Sequence, residues 1–142
     1  MADQNIHLQQ AEHNHNIAKK LAKDKVKDWS VTCAFYSALH YFEAAFIAAD
    51  PKAGHTEVKY NDLALNMPDY LKGKSLHAFR DLLINKAFPK VRSQFAQLRY
   101  MSESARYLEK SKNKCGFDFI TEETAKKALQ DLNEIKSELQ KN

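Results

Sequence analysis

The stretch FYSALHYFEAAF, residues 35–46, decides the fold of this chain, because it consists almost entirely of helix-forming and aromatic residues. Its polar side chains include Tyr36, His40 and Glu43, which lie four and three residues apart and are therefore neighbours on a helix surface. Apolar residues surround them nearly all round, so other helices or a second subunit must cover this helix on several sides. The three side chains form either a buried hydrogen-bonded cluster or part of a site at a subunit boundary, where His40 would transfer protons.

The composition of the 142-residue chain favours helices throughout. Glycine and proline occur only three times each, which argues against a sheet rich in tight turns, and the length fits one domain spanning residues 1–142. The sequence shows neither a charged-then-apolar leader nor an apolar run near the ~18 residues that a membrane span needs. We therefore predict a cytoplasmic protein without membrane contact.

Capping residues and helix breakers divide the sequence into four main helices. The predicted helices run over residues 5–25, from Asp28 or Ser30 to Ala49, from Ser75 to Lys110, and from Thr121 through Leu139. Four helices with apolar stripes, one of them dominantly apolar, predict an all-α antiparallel four-helix bundle.

Two features modify this simple bundle. Pro89 falls inside the third helix, where a proline costs ~3 kcal/mol unless the helix kinks or a new one begins, so we predict a kinked or split third helix. Residues 50–74 hold two prolines and two glycines and one short apolar cluster. They predict a long connection, which in a compact domain is either functional or mobile.

His77 and Arg80 lie one turn apart at the start of the third helix. A helix start offers free N–H groups and the positive end of the helix dipole, and both side chains add donors, so this region predicts a phosphate site. A surface pair with His77 partly packed explains the same spacing equally well.

A basic face follows on the same helix. Arg92, Arg99 and Arg106 are seven residues apart and fall on one side, with Tyr100 and Tyr107 beside them. Basic residues with interleaved aromatic residues can track a phosphate backbone and stack bases. The competing interpretation is an ordinary solvated helix face.

Signatures of metal and thiol chemistry are weak. Glu12-x-x-His15 has the spacing of a ligand pair in carboxylate-bundle iron proteins, but those sites need a second Glu-x-x-His and two further carboxylates. Cys33 and Cys115 are far apart and form no zinc spacing. We expect no metal and no cofactor, and the residues leave open whether the protein is an enzyme.

Three segments carry a resemblance to a known family. DWSVTCAFYSALHYFEAAF, HAFRDLL and LRYMSESARYL resemble the HEPN family of small four-helix-bundle proteins through the aromatic-Tyr-Ser-Ala-Leu-His centre, His77-x-x-Arg80 and Ala105-Arg106-Tyr107. The resemblance covers most of the chain. It implies a HEPN-like bundle, nucleotide or RNA binding, dimerisation around the central helices and, in many members, a metal-independent ribonuclease.

The catalytic signature of that family is an arginine followed by a histidine, with four to six residues between them. Every arginine of this chain, from Arg80 to Arg106, comes after its last histidine, His77. Catalysis is therefore either absent or uses another set, for which His40, His77 and Arg80 are the candidates.

Three hypotheses follow. The leading one is a HEPN-like homodimer that binds a nucleotide or RNA and lacks the usual nuclease chemistry. Its candidate ligand-binding residues are Tyr36, His40, Glu43, His77 and Arg80 in or near a cleft, with Arg99, Arg106 and Tyr107 on phosphate or base.

The second is a divergent ribonuclease in which His77 or His40 is the general base and Arg80 stabilises the transition state. The third is a protein-interaction module, such as a toxin–antitoxin component with a nucleotidyltransferase-like partner.

Overall fold

The computed structural model describes residues 4–49, 76–107 and 114–141, without the side chains of Ala49, Leu76, His77 and Phe79. The described ranges contain six α-helices and one 3-10 helix: α1 (Gln4–Lys23), α2 (Lys27–Ala49), α3 (Leu76–Ala87), the 3-10 helix (Pro89–Val91), α4 (Arg92–Arg106), α5 (Gly116–Phe119) and α6 (Glu122–Leu139). The all-α prediction is confirmed. The predicted connection over residues 50–74 and the predicted cap at Ser75 lie outside the described residues.

Helix α2 lies at the centre of the fold and packs against α1, α4 and α6. The four largest fully buried side chains are Tyr41, Phe35 and Phe42 of α2 and Phe95 of α4. The ring centroid of Phe95 lies 5.5 Å from that of Phe35 and 5.1 Å from that of Phe42. Three neighbouring helices therefore cover the apolar circumference that the sequence predicted.

The same apolar character makes α2 resemble a membrane-spanning helix. Among the described helices it is the one that is long and apolar enough to cross a bilayer, over Lys27–Ala48, although the sequence analysis found no apolar run of that length. Most of that segment is buried inside the fold, as in the core helix of a soluble protein.

Two serines of α2 set its antiparallel register against α1. The Ser37 hydroxyl donates to the Ala11 carbonyl oxygen at 2.7 Å, and the Ser30 hydroxyl donates to the Ala18 carbonyl oxygen at 2.8 Å. Both alanines are fully buried, so the two helices pack closely where the serine side chains bridge them. The two serines are seven residues apart, and so are the two alanines. The same serine-to-carbonyl contact therefore occurs at two places along the helix pair.

Helix α2 begins earlier than predicted, directly after a tight turn that follows α1. The Val26 N–H donates to the Leu21 carbonyl and the Lys25 N–H to the Ala22 carbonyl, which is the Schellman pattern, with Lys25 at φ 62°. This turn leads directly into Lys27. The predicted cap at Asp28 or Ser30 is therefore wrong, because Ser30 uses its hydroxyl for the contact with α1 instead.

Pro89 splits the predicted third helix, as its missing N–H requires. The last helical hydrogen bond before it joins the Phe88 N–H to the Ile84 carbonyl at 2.8 Å, and Pro89 then opens the 3-10 helix. The break turns Phe88 inward, where its ring centroid lies 5.9 Å from that of Phe42 and 5.7 Å from that of Phe46.

The start of α6 follows the predicted capping pattern. The Thr121 side chain accepts a hydrogen bond from the Thr124 N–H at 3.1 Å. Glu122 and Glu123 occupy the first turn, where the helix dipole favours negative charge. The prediction of a helix start at Thr121 is confirmed.

Gly116 allows α5 to press against the end of α4. A Cβ atom at this position would lie 2.1 Å from the Ala105 carbonyl oxygen. Because that neighbour is backbone, it cannot rotate away as a flexible side chain would. The close approach positions Ala105 and its neighbour Arg106 at the C-terminal end of α4.

We expect Gly116→Ala to lower the free energy of unfolding by about 1–3 kcal/mol, because the added methyl group overpacks a backbone contact. Urea denaturation followed by circular dichroism measures this change. Asp118→Ala, at an exposed position of the same short helix, is the control and should stay within about 0.5 kcal/mol of the parent. Equal effects of the two substitutions would contradict the close approach.

Candidate functional site

Tyr36, His40 and Glu43 contact three different helices. The Tyr36 hydroxyl accepts a hydrogen bond from Nη1 of Arg106 in α4 at 3.0 Å. Nδ1 of His40 lies 2.9 Å from Nδ1 of His7 in α1, and Oε1 of Glu43 accepts from Nε of Arg80 in α3 at 3.0 Å. The polar triple of the central helix therefore links α2 to three neighbouring helices.

Glu43 and Arg80 form a buried ion pair. The Glu43 side chain is fully buried, and 5% of the Arg80 side chain is exposed. The pair holds α3 against α2, with little of either side chain open to a ligand. His77, which was predicted to act with Arg80, belongs to α3, but its side chain is not among those that the structure describes.

A second polar network, which the sequence did not predict, joins α1, α2 and α6. The Tyr41 hydroxyl donates to Oε1 of Glu12 at 2.7 Å, and the same oxygen lies 2.8 Å from Nζ of Lys136. His15 is buried, with Nδ1 3.3 Å from the Tyr41 oxygen. The Glu12-x-x-His15 spacing thus serves hydrogen bonding between helices.

The pKa shifts in this network follow from burial and from the shared carboxylate. Hydrogen bonds from Lys136 and Tyr41 lower the pKa of Glu12. Burial, followed by the Glu12 hydrogen bond, raises the pKa of Tyr41. Burial lowers the pKa of His15, with the charges of Lys19 and Lys136 acting in the same direction. His15 is therefore a neutral imidazole near pH 7.

Arg99 is paired with acidic side chains of the protein itself. Its Nη1 donates to the Asp81 carboxylate, and its Nε donates to Oε1 of Glu103 at 3.2 Å. Burial raises the pKa of Asp81, against the opposing effect of the Arg99 charge. Two nearby carboxylates therefore balance the charge of Arg99, which the sequence had placed on the basic face.

Arg106 lies in a different environment, at the edge of a cavity of about 360 Å³ between α2 and the end of α4. Asp28, Trp29 and Thr32 line the α2 side of this cavity, and Ala105 and Arg106 line the α4 side. We call it the aromatic cleft. Of the sequence-predicted site residues in the described ranges, Arg106 lines it, and Tyr36 and Tyr107 contact Arg106.

The guanidinium of Arg106 is fixed by its neighbours. Its carbon lies 5.5 Å from the ring centroid of Tyr36 and 5.1 Å from that of Tyr107, both within cation–π range. Nη1 donates to the Tyr36 hydroxyl, and Nε donates to the Ser102 carbonyl oxygen at 3.2 Å. No contact within the described part of the chain uses Nη2, so its two N–H donors remain for a ligand.

The exposed ring of Trp29 in the cleft is the feature that the sequence analysis missed, whereas Tyr107, next to Arg106, was among its candidate residues. Trp29, the single tryptophan of the chain, is 56% exposed, and Tyr107 is 50% exposed. Large aromatic residues usually bury more of their surface, and tryptophan and tyrosine that remain exposed are enriched at binding interfaces. The signal in the sequence was a tryptophan between Asp28 and Ser30, in the first turn of an otherwise buried helix.

The residue types of the aromatic cleft suit a planar, anionic ligand. A fixed guanidinium provides charge-assisted donors for a phosphate. Aromatic rings stack with nucleobases in a way that tolerates any base, since every base has a π-face. At the wall of the cavity the Asp28 carboxylate can accept from base N–H groups but repels phosphate, and the Thr32 hydroxyl donates to the Asp28 carbonyl oxygen at 2.9 Å. The cleft therefore combines a phosphate contact, a stacking surface and polar groups for orientation.

Comparison of the chain with protein-family models, with curated proteins and with solved structures gives no match. The resemblance to the HEPN family stays a prediction.

Proposed function

We propose that this protein is a HEPN-like four-helix bundle that binds a nucleotide or single-stranded RNA in the aromatic cleft. The observation that carries the proposal is the position of Arg106, whose guanidinium lies against two tyrosine rings at the edge of a cavity that Trp29 also lines. In this proposal Arg106 contacts a phosphate, and Trp29 and Tyr107 stack on bases.

The size of the cavity supports this ligand class. Its volume of about 360 Å³ lies at the lower end of the ~300–1,000 Å³ range of small-molecule sites, which fits one nucleotide better than a large cofactor. Among the described residues no carboxylate forms an ion pair with Arg106, although Asp28 lines the same cavity, whereas Arg99 has two carboxylate partners. The Arg106 charge is therefore more available to a phosphate than the Arg99 charge.

The divergent ribonuclease remains an alternative prediction with less support. Arg80 would have to leave Glu43 to reach a phosphate, and separating a buried ion pair is costly. The homodimer, the nucleotidyltransferase-like partner and the toxin–antitoxin role also remain predictions, for which the described residues provide no specific observation.

The proposal predicts that nucleotides change the fluorescence of Trp29. This side chain is the only tryptophan, so quenching on titration with uridine monophosphate and with a single-stranded RNA of about ten nucleotides reports on the cleft directly. Replacing it by alanine should weaken RNA binding roughly 5- to 100-fold, the usual effect of losing one stacked ring. Fluorescence anisotropy of a labelled RNA measures the affinity.

Tyr100→Ala is the matched control, because Tyr100 is also an exposed aromatic residue, 53% accessible, but lines a different cavity between α4 and α6. The control variant should bind RNA as the parent does. Unchanged tryptophan fluorescence at saturating RNA, or equal losses in both variants, would overturn the assignment of the cleft. Absence of RNA binding altogether would favour the protein-interaction module.

A further inference from the structure

A lysine-rich cavity of about 530 Å³ lies between the end of α1, the α1–α2 turn and the start of α6. It is lined by five lysines, Lys19, Lys23, Lys25, Lys27 and Lys126, together with two glutamates and three apolar residues, Ala22, Ala125 and Leu129. We call it the lysine cavity. Its five positive and two negative side chains give a net charge of +3 on a small surface.

Most of these lysines are not neutralised by the protein. Nζ of Lys25 lies 3.5 Å from Oε1 of Glu122, and both side chains are largely exposed, so this ion pair is weak. Within the described part of the chain, no ion pair involves the other four lysines. Several unpaired ammonium groups around one cavity produce a positive potential that attracts anions.

The lysine cavity and the aromatic cleft lie at the same end of the molecule. Because α1 and α2 are antiparallel, the last turn of α1 lies beside the first turn of α2. Lys27 lines the lysine cavity, while Asp28 and Trp29, the next two residues, line the aromatic cleft. Only the first turn of α2 therefore separates the two sites.

We propose that the lysine cavity binds backbone phosphates of the same RNA strand whose base occupies the aromatic cleft. This inference rests on the proposed function and makes it more specific: the ligand is an oligonucleotide that crosses the first turn of α2, and a mononucleotide fills only part of the site. A strand is favoured over a single phosphate because the five lysines are spread over α1, the turn, the first residue of α2 and α6.

The test compares a neutralised cavity with a neutralised control surface. The cavity variant is Lys19→Gln/Lys23→Gln/Lys126→Gln, and the control is Lys86→Gln/Lys90→Gln/Lys141→Gln, which removes the same charge at exposed positions near the opposite end. The probes are a labelled single-stranded RNA of about ten nucleotides, followed by anisotropy at several salt concentrations, and uridine monophosphate, followed by Trp29 fluorescence.

We expect the cavity variant to bind the RNA at least about tenfold more weakly at low salt. The slope of log affinity against log salt should fall by about 2, since each lost phosphate contact of a single strand contributes ~0.7. The affinity for uridine monophosphate should not change, because that ligand does not reach the lysines. The control variant should show a much smaller loss.

Failure of this inference is distinguishable from failure of the proposed function. If Trp29→Ala weakens RNA binding but the cavity variant loses no more affinity than the control, the aromatic cleft is the site and the lysine cavity is not. If the cavity variant loses affinity but Trp29→Ala does not, the cleft assignment is wrong, and with it the shared strand. Equal affinities of the parent for RNA and for uridine monophosphate would also overturn the inference.

Discussion

Replacing Arg80 with alanine is expected to lower the free energy of unfolding by about 3–5 kcal/mol, because the Glu43 carboxylate then loses its ion pair inside the core. Both side chains of this pair are 5% exposed or less. Urea denaturation followed by circular dichroism at neutral pH measures the change. The loss would be a large part of the total stability of a domain of this size.

Two further variants separate a buried ion pair from ordinary packing. Lys141→Ala breaks an ion pair with Glu138 in which Lys141 is largely exposed, and it should cost less than about 1 kcal/mol. Replacing both partners with apolar residues, as Glu43→Leu/Arg80→Met, should recover most of the stability lost in Arg80→Ala, because neither charge remains buried. A double variant that is less stable than Arg80→Ala would contradict this account.

The helices were predictable because their signals are local. The apolar circumference of α2, the proline at position 89 and the threonine cap at position 121 each act within a few residues, and each has its expected effect in the structure. The start of α2 was not predictable in the same way. Lys25 adopts a left-handed conformation that usually belongs to glycine, so no residue type at this position indicated the turn.

The hydrogen-bond partners of the polar residues of α2 could not be predicted from the sequence. Spacing on a helix predicts which side chains of α2 are neighbours, and it placed Tyr36, His40 and Glu43 together. Their hydrogen bonds run instead to Arg106, His7 and Arg80, which tertiary packing alone brings into contact. Heptad spacing likewise grouped Arg99 with Arg106, although acidic neighbours surround the first, while aromatic rings lie against the second.

Reversing the charge of Arg106, as Arg106→Glu, is expected to weaken binding of single-stranded RNA roughly 100-fold at low salt. Losing one specific arginine contact costs ~1–3 kcal/mol, and the introduced carboxylate adds repulsion from the phosphate. Arg99→Glu should have a smaller effect on RNA binding, because Asp81 and Glu103 already balance the charge of that arginine. Fluorescence anisotropy with one labelled RNA compares the variants.

Arg92→Glu is the matched control, since it changes the net charge by the same amount on the same helix. Arg92 is exposed and opens α4, about 21 Å along the helix axis from Arg106. Thermal unfolding of each variant shows whether loss of the Tyr36 hydrogen bond has weakened the fold. Equal RNA affinities in Arg106→Glu and Arg92→Glu would mean that only net charge matters and that the cleft is not the site.

Arg106→Lys then distinguishes geometry from charge at the cleft. Lysine keeps the positive charge but lacks the planar guanidinium that lies against Tyr36 and Tyr107 and donates from fixed directions. If Arg106 acts only by attracting phosphate, the Arg106→Lys variant keeps the RNA affinity of the parent protein. If the rings orient the guanidinium for a stacked nucleotide, the lysine variant binds at least several-fold more weakly while its salt dependence stays nearly the same, because the number of phosphate contacts is unchanged.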